Sequence, residues 1–172
     1  TYMLKAALKD YPSYFQRYID LVPDDNELIA GFYIQRPIIV DFLESITEEK
    51  SSYAYAPGKW TLKDMLQHMT DTERIFGYRA LCFARREKIS LPGFEESEYA
   101  ANVNAAERSW QNLLEEFFAV RYTSELLFKS FSAEVLKRTG IANNNVTSVG
   151  SLGFITLGHV YHHKKIIEER YL

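Results

Sequence analysis

The chain of 172 residues has little that would staple it, thread it through a membrane or bind it to nucleic acid. Its only cysteine is Cys82, so no internal disulfide framework is available, and a reducing, cytoplasmic setting is the expectation. No apolar run is long enough to cross a bilayer and no charged-then-apolar leader is visible, which points to a soluble protein with no membrane partner. Lys and Arg number 20 against 23 Asp and Glu, a formal net charge of -3, and no block of basic residues could follow a phosphate backbone. Nucleic acid is therefore not an expected partner. Also missing are His-Glu-x-x-His, the zinc-protease pattern, and any Glu-x-x-His, which a di-iron carboxylate bundle needs on two facing helices.

What is present is apolar and periodic. At 47% hydrophobic and 15% aromatic, the chain can bury one substantial core, so a single domain over residues 1–172 is expected. Apolar residues recur at intervals of three and four, almost never in strict alternation, which predicts an all-α fold. A short amphipathic lead around Tyr11 to Leu21 precedes a turn at Pro23-Asp24-Asp25, and Leu28, Phe32, Ile39, Phe42 and Ile46 mark a first long helix. Pro37 predicts a kink or a break within it. After a loop from Ser51 to Gly58, Thr61 caps a second helix with Asp64 in the capping-box position, and its stripe runs from Leu62 to Phe83. A connection from Ile89 to Glu96 leads to a third long helix traced by Val103, Ala106, Trp110, Phe117 and Phe128. Gly140 to Asn145 reads as a polar loop before the last helix.

That last helix concentrates the chemistry. Three of the four histidines, His159, His162 and His163, fall within five residues. At about 3.6 residues per turn, His159 and His163 stand one above the other, near the middle of the face defined by Leu152, Ile155, Val160, Ile166 and Ile167. Two buried imidazoles one turn apart need partners, and a shared metal ion supplies them, with His68 of the second helix as a third ligand. Satisfied core histidines, or favourable placement against the helix dipole, are the competing explanation for the pair. His162 falls at the margin and reads as a rim residue, though its i,i+3 spacing to His159 keeps it as an alternative. Three neutral imidazoles suit zinc, nickel, copper or ferrous iron and leave a position for water or substrate.

Several stretches carry a family resemblance: Tyr55-Ala-Pro-Gly-Lys-Trp60-Thr-Leu-Lys-Asp, His68-Met-Thr-Asp71-Thr-Glu73-Arg74, Tyr78-Arg79-Ala-Leu and Phe83-Ala-Arg85. Leu91-Pro-Gly-Phe-Glu-Glu and the closing Gly158-His159-x3-His163 with Glu169-Arg170-Tyr171-Leu172 complete the set. From about Glu27 onward the chain resembles the DinB/YfiT superfamily of metal-binding four-helix bundles. The resemblance implies a bundle of unusual up-down order, which the Tyr11 to Leu21 lead precedes as a short N-terminal helical extension; it also implies a frequent homodimer and a divalent ion (zinc or nickel, with iron an option) held by His68, His159 and His163. It also implies a small-molecule substrate and either thiol S-transfer or hydrolysis. Relatives include transferases and isomerases that use a low-molecular-weight thiol such as bacillithiol or mycothiol, and many members described only as metal-dependent hydrolases.

Other polar residues have narrower readings. Asp71, one turn beyond His68, is either a solvated acid or a group that orients a ligand imidazole. Arg79 anchors an anionic substrate or pairs with an acid. Arg121 lies on the apolar stripe of the third helix and requires a carboxylate, with Asp71 and Glu73 as candidates. Arg170 reads as a salt-bridge residue and Cys82 as a small core residue. Three functional classes remain: a metal-dependent enzyme, a non-catalytic metal or small-ligand-binding protein of stress response, and a structural homodimer with a residual site.

Overall fold

The structure, a computed structural model, describes residues 2–172. Its helices are α1 (Gln16–Ile19), α2 (Leu28–Glu44), α3 (Glu48–Ser51), α4 (Leu62–Ala84), α5 (Glu96–Ala101), α6 (Trp110–Lys129), α7 (Ala133–Leu136) and α8 (Val149–Arg170), with strands β1 (Thr139–Ala142) and β2 (Asn145–Ser148) before the last. The four long helices form the bundle. α4 packs on α6 and α8, and α2 packs on the same two from the opposite side, so α2 faces α4 across a diagonal.

Side-chain contacts give the direction of each helix. Trp110, at the start of α6, donates its indole N–H to the Leu43 carbonyl near the end of α2, at 3.1 Å. Tyr171, just past α8, donates to the carbonyl of Trp60, just before α4, at 2.7 Å. Glu73 meets Arg121 and Lys63 meets the Arg108 carbonyl, so α4 and α6 run the same way. Leu28 lies against Gly153 and Gln35 meets Leu157, so α2 and α8 run together in the opposite sense. The order is up, down, down, up. Because α4 ends where α6 must not begin, residues 85–109 travel the length of the bundle.

Local chemistry explains most of the boundaries. Thr61 Oγ1 accepts from the Asp64 N–H at 3.1 Å while Asp64 accepts from the Thr61 N–H at 2.9 Å, the reciprocal capping box expected at the head of α4. Glu27 caps α2 by accepting from Ile29 and Ala30, each at 3.0 Å. Pro37 does not break α2, which is continuous through it. The proline lies on the exposed face, where water can replace the missing N–H at the Tyr33 carbonyl.

Two expectations are corrected. The third long helix does not reach back to Val103: it starts at Trp110, capped by Ser109, and the preceding residues form α5 and a short 3-10 turn within the bundle-length crossover. Gly140 to Asn145 is not an irregular loop but most of a β-hairpin, turned by Asn143 and Asn144 at φ of 50° and 58°. Two successive left-handed residues make the turn that matches strand twist, and asparagine tolerates them. N-terminal to the bundle, α1 lies on α8, so close that a Cβ on Gly158 would stand 2.0 Å from the Tyr18 carbonyl oxygen.

Candidate metal centre

His68 sits in the second turn of α4 and faces His159 and His163 of the antiparallel α8. Its Nε2 is 3.2 Å from each of theirs, and theirs are 3.0 Å apart. The three rings are only 2–6% exposed. Burial pushes the His68 imidazole down to about 4, with His162 adding a smaller push. Burial, then mutual repulsion within the cluster, holds His159 and His163 well below the usual histidine range. At neutral pH all three rings are uncharged and can offer lone pairs.

The donor set fits a divalent ion. Imidazoles bound tetrahedrally at about 2.0–2.1 Å have nitrogens about 3.3 Å from one another, close to the separations found here. Three nitrogens from two helices meet at one point, and within this range no fourth histidine, cysteine or acid joins them among the described residues. His162 is half-buried and stays outside the cluster, its ring edge-on to Tyr18 at 5.1 Å.

Aromatic rings rather than carboxylates support the cluster. Tyr18 from α1 meets His159 edge-on at 5.3 Å, Phe76 does so at 5.9 Å, and Trp60 leans on His68 at 5.0 Å. Asp71 does not orient a histidine: it accepts from Gln67 Nε2 at 2.9 Å. Thr72, one turn after His68, holds that ring's Nδ1 in a long 3.4 Å contact. His163 Nδ1 is buried with no hydrogen-bond partner among the described residues. Trp60 and Thr72 are near the ligand in sequence, whereas Tyr18 reaches the site only through tertiary packing.

A cavity of about 340 Å³ opens beside His163. Tyr55, Lys59, Trp60, Met65, Ile166, Arg170 and Tyr171 form most of its wall. Burial, followed by the neighbouring Tyr55, pushes the Tyr171 phenol up to about 12. Its O–H is committed to the Trp60 carbonyl.

The remaining candidates divide cleanly. Arg121 finds Glu73 at 2.9 Å and also donates to Gln35 Oε1 at 2.6 Å. Arg79 has no acid partner among the described residues: it donates to the Pro92 carbonyl at 3.0 Å and so holds the crossover against α4. Arg170 forms no salt bridge among the described residues. It donates to the Tyr55 hydroxyl at 3.2 Å and lies 5.7 Å from that ring's centre, on the cavity wall. Cys82 is half-buried against the core.

In comparison with known proteins, the sequence profile of the DinB superfamily matches residues 32–167. No curated protein matches the chain. Among solved structures, YfiT from Bacillus subtilis, described as a probable metal-dependent hydrolase with an unusual four-helix bundle topology, resembles it at a TM-score of 0.68. The likeness covers 94% of this chain and 88% of that one at 13% identity, and at that identity it speaks for the fold.

Proposed function

The chain belongs to the DinB superfamily, and on that premise we propose that it is a metal-dependent enzyme. His68, His159 and His163 hold a divalent ion, zinc or nickel ahead of iron, that activates water or a small thiol for attack on a small substrate. The carrying observation is the convergence of three uncharged imidazole nitrogens within 3.0–3.2 Å, beside a cavity whose wall includes His163. Three protein ligands leave room for water or substrate, which distinguishes a catalytic site from a closed structural one. An ion there would supply Lewis acidity, bringing a bound water's pKa to roughly 7 or deprotonating a thiol.

The chain's own groups prepare the site. Burial keeps the imidazoles unprotonated, so no proton has to leave before they can act as ligands. Tyr18 and Phe76 close the His159 side with aromatic surface, and the cavity lies on the His163 side. The description of YfiT as a probable metal-dependent hydrolase supports the water arm of the reading.

Elemental analysis of protein purified without an affinity tag tests the centre. About one divalent ion per chain is expected in the wild type, and none in a His159→Ala/His163→Ala double variant that keeps its helicity. A wild type that stays metal-free after incubation with zinc and with nickel would remove the catalytic reading.

A further inference from the structure

The cavity beside His163 carries an unusual charge pattern. Its wall includes two cations, Lys59 and Arg170, two phenols and an indole, and no carboxylate. On α8 the neighbouring charges are matched one turn apart, Lys164 with Glu168 and Lys165 with Glu169. Arg170 breaks that pairing because the residue one turn before it is Ile166, itself part of the cavity wall. Neither Lys59 nor Arg170 has an acid partner among the described residues. Asp64, whose charge reaches Tyr171, already accepts from both the N–H and the hydroxyl of Thr61.

Arg170 is nonetheless held in place. The Tyr55 hydroxyl accepts from Nη1, and the Tyr55 ring lies beside the guanidinium. One of five N–H donors is used, which leaves enough of the fork for a planar two-oxygen acceptor. The Tyr55 O–H is also unspent among the described residues, where that hydroxyl acts as an acceptor.

We propose that this cavity is the substrate's recognition subsite and binds a carboxylate, clamped by Arg170 and Lys59, whose apolar or aromatic body lies along Trp60, Met65 and Ile166 toward His163. The assignment rests on the metal-centre reading for what happens at the other end of the substrate. Arg170 follows His163 by two turns, about 10 Å along the axis, so the carboxylate is an anchor remote from the reacting group. A carboxylate suits the site better than a phosphate does. Phosphate sites usually draw on free N–H groups at a helix N-terminus, and here the head of α4 has Leu62 N–H bonded to the Tyr53 carbonyl and Asp64 N–H bonded to Thr61. The other helix end at the cavity is the C-terminus of α8, whose dipole opposes a dianion more than a monoanion.

Calorimetric titration with 3-phenylpropionate tests this, with 3-phenylpropionamide as the uncharged probe and phenyl phosphate as the dianion. Titrations run on both zinc-loaded and chelator-stripped protein. The carboxylate is expected to bind at least about tenfold more tightly than the amide, and Arg170→Gln to remove most of that preference, since a charge-assisted bidentate contact is of this size. Lys59→Gln should weaken carboxylate binding severalfold. The preference should persist in stripped protein, because the clamp is not the metal. Equal binding of carboxylate and amide, no measurable carboxylate binding, an unchanged preference in Arg170→Gln, or tighter binding of phenyl phosphate would each overturn the assignment. A preference found only in zinc-loaded protein would place the carboxylate on the ion instead and equally sink the clamp. Zinc stoichiometry, measured separately, reports on the metal centre, so either idea can fail while the other stands.

Discussion

Removing one partner of the Glu73–Arg121 pair should damage the fold far more than removing both. The two side chains are 2% and 4% exposed and 2.9 Å apart, with the Arg121 guanidinium 5.2 Å from the Phe32 ring centre. Truncating Glu73 to Ala leaves a buried guanidinium without its carboxylate and with Gln35 Oε1 as its partner, a loss of about 3–5 kcal/mol for a buried pair. For a chain of this size that lowers the melting temperature by roughly 10 °C. The pair is itself incompletely satisfied: Glu73 Oε1 and Arg121 Nε have no hydrogen-bond partner among the described residues. Replacing both, as Glu73→Leu with Arg121→Met, therefore sheds two costly groups, although Gln35 Oε1 loses its donor at a cost of about 1–3 kcal/mol. The double variant is expected within about 2 kcal/mol of wild type. Urea unfolding followed by circular dichroism measures all three proteins. A Glu73→Ala loss below about 1 kcal/mol, or a double variant less stable than the single one, would refute the premise that these charges are desolvated and mutually dependent.

Other expectations follow from single contacts. In metal-free protein the unfolded chain protonates each histidine near pH 6.5, while the folded triad resists protonation, His68 down to about 4. Stability should be complete above about pH 6.5 and fall as the pH drops toward 4, with a slope approaching about 4 kcal/mol per pH unit for three sites. Urea titrations across that window should give a His159→Ala variant a slope shallower by about a third, and equal slopes would count against the burial of that ring. Thr61→Ala removes the α4 cap and should cost about 1 kcal/mol by the same assay. Gly158→Ala puts a methyl group 2.0 Å from the Tyr18 carbonyl oxygen, so α1 must lift. Limited proteolysis should then cut within residues 2–25 faster than in wild type, and an unchanged cutting pattern would show that α1 is not seated on α8 as described.

The all-α class, the head of α4 and the span of α8 were legible because local signals agreed: a cap and an apolar stripe at α4, a polar break and an apolar stripe at α8. The start of α6 was not, and the reason is instructive. Val103 and Ala106 keep the three-and-four spacing that leads to Trp110, so periodicity alone continues the helix. What ends it is a tertiary demand: α4 and α6 run the same way, and the chain has to be spent on travelling back. The hairpin escaped for a different reason. Its strands are four residues each, too short for alternation to register, and the informative signal was the Asn143-Asn144 pair at its turn.

The histidine pair on α8 was visible from spacing, but its meeting with His68 depends on topology. His68 is the seventh residue of α4, and His163 lies seven residues before the end of α8, so each is about 10 Å from its own helix terminus. In the antiparallel pairing observed, those two termini share one end of the bundle and the rings come level. A simple up-down-up-down bundle of the same helices would set α4 and α8 parallel and separate His68 from His163 by about 12 Å along the axis. Three nitrogens could not then converge. The up, down, down, up order, with the long crossover it requires, is thus what turns two separate histidine motifs into one site. The same pairing brings Tyr171 onto Trp60 and Arg170 onto Tyr55, so cavity and cluster share one cause.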